Sequence, residues 1–155
     1  EYNRQVGSFN GIIDKIYDAI ERADLPVIFH SGYDCVSPDL IHSTPERALN
    51  MIKKHPKLKV ILAHLGANMM WEQVRDVLAG VDGEVYFDTA FTSMCPDELM
   101  QAIVEKHGAD RILFASDCPW DSSYLIKEKI LRLNISEDNK DKILGGNAER
   151  LLGLK

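Results

Sequence analysis

Four side chains able to bind a metal ion or move a proton recur at one kind of place in the sequence. His30, His64, Asp88 and Asp117 each close a short apolar run. Imidazole and carboxylate are the donors expected at a catalytic Zn²⁺ or similar divalent ion, which keeps one position for a water whose pKa falls to about 7. His30 and Asp117 read as the ligands. His64, with an unperturbed pKa of about 6.5, suits a proton shuttle or a group that orients substrate. Asp88 divides between a substrate contact and a structural acceptor for loop amides. A lone histidine at a strand end is more often a structural residue than a ligand; the fourfold repetition is what favours chemistry.

The elements around these residues explain the repetition. Val27 to His30, Lys59 to His64, Val85 to Asp88 and Arg111 to Asp117 are continuous apolar runs closed by Gly, Pro or polar residues, as buried parallel strands are. Between them lie helical patterns. Ile12, Ile13, Ile16, Tyr17 and Ile20 share one face of a first helix, with Asn10 as its expected cap and Pro26 setting its end. Ser43-Thr44-Pro45-Glu46 is a helix start with a hydroxyl cap and an early proline. Further helices are expected over 70–78, 97–107, 125–133 and 137–144, with Asn147 capping a last turn after Gly145-Gly146. The order is β and α in alternation, one βαβ unit for each interval of about 30 residues. In such a sheet functional residues collect at the carboxyl ends of the strands, where all four candidates stand.

Other residues have blander readings. Tyr33 and Trp120 follow strand-end candidates and are placed as substrate contacts, against exposure or simple packing. Cys118, next to Asp117 on an extended strand, should point away from it and be structural. His55 and His107 sit at helix C-termini, where a cation suits the macrodipole. His42 is expected in solvent, and Arg47 and Arg150 at the surface or between helices.

Composition narrows the class. At 155 residues with 45% hydrophobic content the chain can bury one core, yet a complete (β/α)8 barrel needs about 250 residues. A net charge of −6 leaves no basic footprint for nucleic acid or an anionic membrane, and no apolar run reaches a membrane span. Cys35, Cys95 and Cys118 are an odd, widely spaced set, as reduced thiols in a cytoplasmic protein would be.

Taken together, His30-Ser31-Gly32, Val60 to Gly66, Ala115-Ser116-Asp117-Cys118-Pro119-Trp120 and Asn147 to Leu154 resemble the amidohydrolase-2 branch of the metal-dependent amidohydrolases. The likeness runs from about Gly11 to Leu154. It implies an α/β fold of parallel (β/α) units forming the second half of a TIM (β/α)8 barrel, one partial domain over residues 1–155. It also implies one divalent metal ion, usually zinc, on His30 and Asp117. His64 would contact the catalytic water or the substrate carbonyl, and Asp117 would also transfer a proton. The family's His-x-His pair and its first four strands have no counterpart here. Those strands are expected outside this chain, which would pair with the missing half-barrel or assemble with copies of itself.

The leading expectation is a hydrolase acting on a small carbonyl or carboxylate compound through a metal-activated water. The alternative is a metal-dependent decarboxylase of the same family. A phosphodiesterase or nuclease lacks its basic channel, and a non-catalytic half-barrel for assembly is the reading of another class.

Overall fold

The computed structural model describes the backbone of residues 2–154 and side chains from residue 12 to 154. Helix α1 (Tyr2–Arg22) leads to strand β1 (Pro26–Phe29), and α2 (Pro45–Lys54) to β2 (Lys59–Leu62). Helix α3 (Trp71–Gln73) runs on through a π-helical turn (Val74–Leu78) to β3 (Val85–Asp88). Helix α4 (Asp97–His107) and a 3₁₀ turn precede β4 (Ile112–Leu113), and α5 (Ser123–Arg132), α6 (Glu137–Asp141) and α7 (Asn147–Leu152) close the chain. The strands form one parallel sheet in sequential order β1-β2-β3-β4. Among the described residues no helix is long and apolar enough to cross a membrane.

Alternation explains the layering. Val60 and Leu62 of β2 are buried beneath the helices, while Lys59 and Ile61 between them stay half-exposed. Strand β3, central and flanked on both sides, is buried throughout. Among the described residues β1 pairs only with β2, and its Ile28 is 62% exposed on the face turned from the helices. Leu62, Phe87, Met100, Ile103, Ile112, Ile126 and Ile130 fill the layer between sheet and helices.

Several boundaries differ from expectation for local reasons. α1 begins at Tyr2, so Asn10 is inside the helix, and its side chain lies outside the described residues. The cap of α2 is Thr44, whose hydroxyl accepts the Arg47 amide at 3.3 Å. β4 stops at Leu113 because the Thr89 hydroxyl takes over the ladder. It donates to the Ala115 carbonyl at 2.9 Å and accepts the Ala115 amide at 3.0 Å. Gly145-Gly146 do not break the last helix: a second π-helical turn (Lys142–Gly146) joins α6 to α7. Asn147 is a buried tie rather than a cap, its amide donating to the Ala109 and Ile112 carbonyls at 2.7 Å each.

At the amino end of the sheet His107 is 1% exposed, its ring stacked on Phe87 at 3.8 Å between centroids. Its Nε2–H donates to the Val85 carbonyl at 2.9 Å, and Nδ1 accepts the Gly80 amide at 3.3 Å. Burial pushes its pKa down to about 3, so it is neutral and does not supply the cation expected at the end of α4.

Candidate functional site

The loops after β1 and β2 cross at Gly32. Its amide donates to the Ser43 carbonyl at 2.8 Å, the Asn68 amide to the Ser31 carbonyl at 2.8 Å, and the Tyr33 amide to the Asn68 carbonyl at 3.0 Å. Gly32 has φ +87°, and a Cβ there would lie 2.2 Å from the Asn68 nitrogen. Only glycine lets the two backbones approach this closely. The Asn68 side chain adds a bond to the Tyr33 carbonyl at 3.0 Å. The crossing anchors the segments that carry His30 and His64.

His64 is buried and held on every side. It sits one residue past Ala63, beyond the end of β2, in the left-handed region at φ 63°. The Asp88 carboxylate accepts the amides of His64 at 2.9 Å and Ala90 at 3.0 Å. The His64 carbonyl accepts the Trp71 indole N–H at 3.0 Å. On the ring, Nδ1 lies 3.1 Å from the Ala90 carbonyl and Nε2 lies 3.0 Å from Nδ1 of His30. A carbonyl only accepts, so the neutral ring carries its proton on Nδ1 and offers the Nε2 lone pair to His30 Nδ1–H. That leaves His30 with its own lone pair on Nε2. The His30 pKa is lowered, first by partial desolvation and then by the charge His64 can carry.

Beside the pair opens a cavity of about 180 Å³. His30, His64 and Asp117 line it, with Tyr33, Phe91 and Trp120 as aromatic walls. Five of the six residues expected at the site therefore meet at one mouth. Asp88 does not line it: the carboxylate is 4% exposed beneath His64, with its pKa raised by burial against the two amides that lower it. This corrects its placement as a substrate contact; the turn needed an acceptor for two buried N–H groups. Asp117, at φ 60°, stands in a loop past β4, so the strand alternation expected to turn Cys118 away does not apply, and Cys118 is exposed.

Sequence reasoning missed Trp71, Ala90, Asn68 and Phe91. Ala90 acts through a backbone carbonyl, which leaves no trace in residue type. Trp71 carried one signal, an indole whose N–H, once buried, needs an acceptor.

The donor chemistry of His30 and Asp117 suits a divalent ion, but the number does not. Such ions take four or more donors, and among the described residues no group of three His, Cys, Asp or Glu side chains converges to hold one. These residues alone do not make a metal site.

Comparison with known proteins agrees with the fold. An amidohydrolase family profile (Amidohydro_2) matches residues 2–154. The chain is 28% identical over 131 residues to gamma-resorcylate decarboxylase of Polaromonas sp. strain JS666, covering 74% of this chain and 40% of that protein. A dihydroxybenzoic acid decarboxylase from Polaromonas sp. JS666, solved with manganese and the inhibitor 2-nitroresorcinol, superposes with TM-score 0.65 at 21% identity over 89% of this chain and 52% of its own. A TIM-barrel protein from Bordetella bronchiseptica gives TM-score 0.68 at 23% identity, over 91% and 50%. The chain thus spans about half the length of the proteins it matches, and its parallel (β/α) units are those of a half TIM barrel. With the profile running the length of the chain and the barrel folds superposing, this chain belongs to the amidohydrolase family.

Proposed function

We propose that the chain supplies half of the active site of a metal-dependent decarboxylase acting on a small hydroxylated aromatic carboxylate. The observation that carries this is the His30–His64 pair facing Asp117 across a mouth walled by Tyr33, Phe91 and Trp120. Aromatic walls suit a ring, and the histidine pair and carboxylate suit its proton traffic. The decarboxylases among the relatives favour this reading over hydrolysis, the first expectation.

In decarboxylation the bond from ring to carboxylate breaks, carbon dioxide leaves, and the ring carbon takes a proton. Asp117 is the proposed donor of that proton. His64, with its tautomer set by the Ala90 carbonyl, orients the substrate through Nε2 once the contact to His30 yields. His30 and Asp117 would be this chain's share of the ligands to one divalent cation, which would neutralise charge on the substrate's oxygens. Manganese is bound by the Polaromonas enzyme, and zinc is what the sequence resemblance implied. The remaining donors belong, in this reading, to four strands outside these 155 residues, which would also pair with the open edge of β1 and cover the exposed face at Ile28.

The test is carbon dioxide release from 2,6-dihydroxybenzoate by the full-length polypeptide containing this chain, assayed after loading with Mn²⁺ or Zn²⁺. Release is expected, with His64→Ala and Asp117→Asn each lowering kcat at least about 100-fold, the scale of lost acid–base catalysis. No release with either metal, or unchanged turnover in both variants, refutes the assignment.

A further inference from the structure

A second cavity adjoins the mouth and shares His30 with it. About 540 Å³ opens between α1, α2 and the end of β1, within the range of small-molecule sites. Its apolar side is made by Tyr17, Phe29 and Met51, with Tyr17 edge-on to Phe29 at 5.9 Å and to His55 at 5.0 Å. Its polar side holds two strong cations in different states. Lys54 is neutralised by Asp14 at 2.7 Å, and Asp14 also meets His55 Nε2 at 3.1 Å. Arg47 has no carboxylate partner among the described residues. Its Nη1 donates to the Ile41 and His42 carbonyls at 2.6 and 3.2 Å, which fixes the guanidinium while Nε and Nη2 keep their donors.

A half-buried guanidinium without a counter-charge, facing an aromatic and aliphatic wall, calls for one kind of occupant. We propose that this cavity binds a small monocarboxylate with an apolar, ring-sized body. The carboxylate would sit on the open donors of Arg47, where planar two-point pairing is strongest, and the body against Tyr17, Phe29 and Met51. A bare inorganic anion would leave the apolar wall unused, and a neutral hydrocarbon would leave Arg47 unpaired. His30 borders both this cavity and the mouth, so an occupant here lies against the back of the histidine pair. The proposal does not depend on the reaction at the mouth.

Benzoate is the probe, and the methyl resonance of Met51, assigned through Met51→Leu in methyl-labelled full-length protein, is the readout. Saturable movement of that resonance is expected in the wild type and, unchanged, in Asp117→Asn. Arg47→Gln should weaken binding at least tenfold and Arg47→Lys several-fold; the lysine variant keeps a donor toward the loop carbonyls should the glutamine variant unfold. Met51→Trp, which fills the cavity, should block binding as seen by calorimetry. The proposal is overturned if the Met51 methyl does not respond, if Arg47→Lys binds like the wild type, or if phosphate binds as well as benzoate. It is equally overturned if Asp117→Asn abolishes the response, because the signal would then come from the mouth.

Discussion

His107 should give this protein a stability that falls with acidification below about pH 6.5, by an amount that follows from its surroundings. In the folded chain the ring lies flat on Phe87, both nitrogens are bonded to backbone, and burial pushes the pKa down to about 3. In the unfolded chain an ordinary histidine titrates near 6.5. Between those values the unfolded state binds a proton that the folded state excludes, so stability is complete above pH 6.5 and is lost as the pH falls toward 3. Linkage puts the loss at about 2 kcal/mol at pH 5, with a ceiling of roughly 5 kcal/mol below pH 3. The assay is urea unfolding at pH 7 and pH 5 for the wild type and His107→Gln, whose amide can still donate to the Val85 carbonyl. Asp14 and Asp97, held below the usual carboxylate range by Lys54 and Lys129, lose stability in acid too, while Asp88 works the other way. These contributions are common to both proteins and cancel in the comparison. The wild type should lose about 2 kcal/mol more than the variant between the two pH values. Equal losses would refute the claim that His107 is buried neutral.

Two further substitutions test the scaffold of the mouth. Asp88→Ala removes the acceptor shared by the His64 and Ala90 amides; with two buried N–H groups unmet it should destabilise by about 2–4 kcal/mol, read by urea unfolding. The ¹⁵N resonances of both amides should move in that variant, and stationary resonances would sink the assigned role. Gly32→Ala sets a Cβ against the Asn68 backbone at a φ of +87° and should cost on the order of 3 kcal/mol, or prevent folding. A stable Gly32→Ala protein with unchanged unfolding midpoint would show that the two loops do not cross as described.

The strands were legible because a buried parallel strand leaves a run of apolar residues that few other structures require. Val60 to Leu62 and Val85 to Phe87 are such runs, and both fall where expected. Their ends were legible only in part. Asp117 reads as the last residue of a strand, yet β4 ends at Leu113, since the Thr89 hydroxyl just past β3 replaces the ladder and no local pattern announces that. The π-helical turns escaped for a similar reason: a single widened turn preserves an apolar face, and Val74 and Leu78 are both buried across it. Residues defined by charge and position could be nominated from sequence, as His30, His64 and Asp117 were. Residues that act by presenting a backbone carbonyl to one particular atom, as Ala90 does, could not, because their partners are fixed only by tertiary approach.

Two buried histidines stand at opposite ends of β3, and the contrast between them supports the proposed placement of the chemistry. His107 has both ring nitrogens bonded to backbone and an aromatic ring against its face, so nothing is left to meet a ligand. His64 has its backbone clamped by Asp88 and Trp71 and its Nδ1 fixed by a carbonyl, yet its remaining nitrogen meets only another histidine at the wall of a cavity. A ring needed for packing alone would have no reason to be held so firmly and still be left with an exchangeable partner. His30 and Asp117 are exposed at the mouth, and together with His64 they do not form a set of metal donors among the described residues. In the proposed decarboxylase His64 would be set by this half of the barrel, while His30 and Asp117 would gain their final geometry from the ion and the ligands that complete its shell.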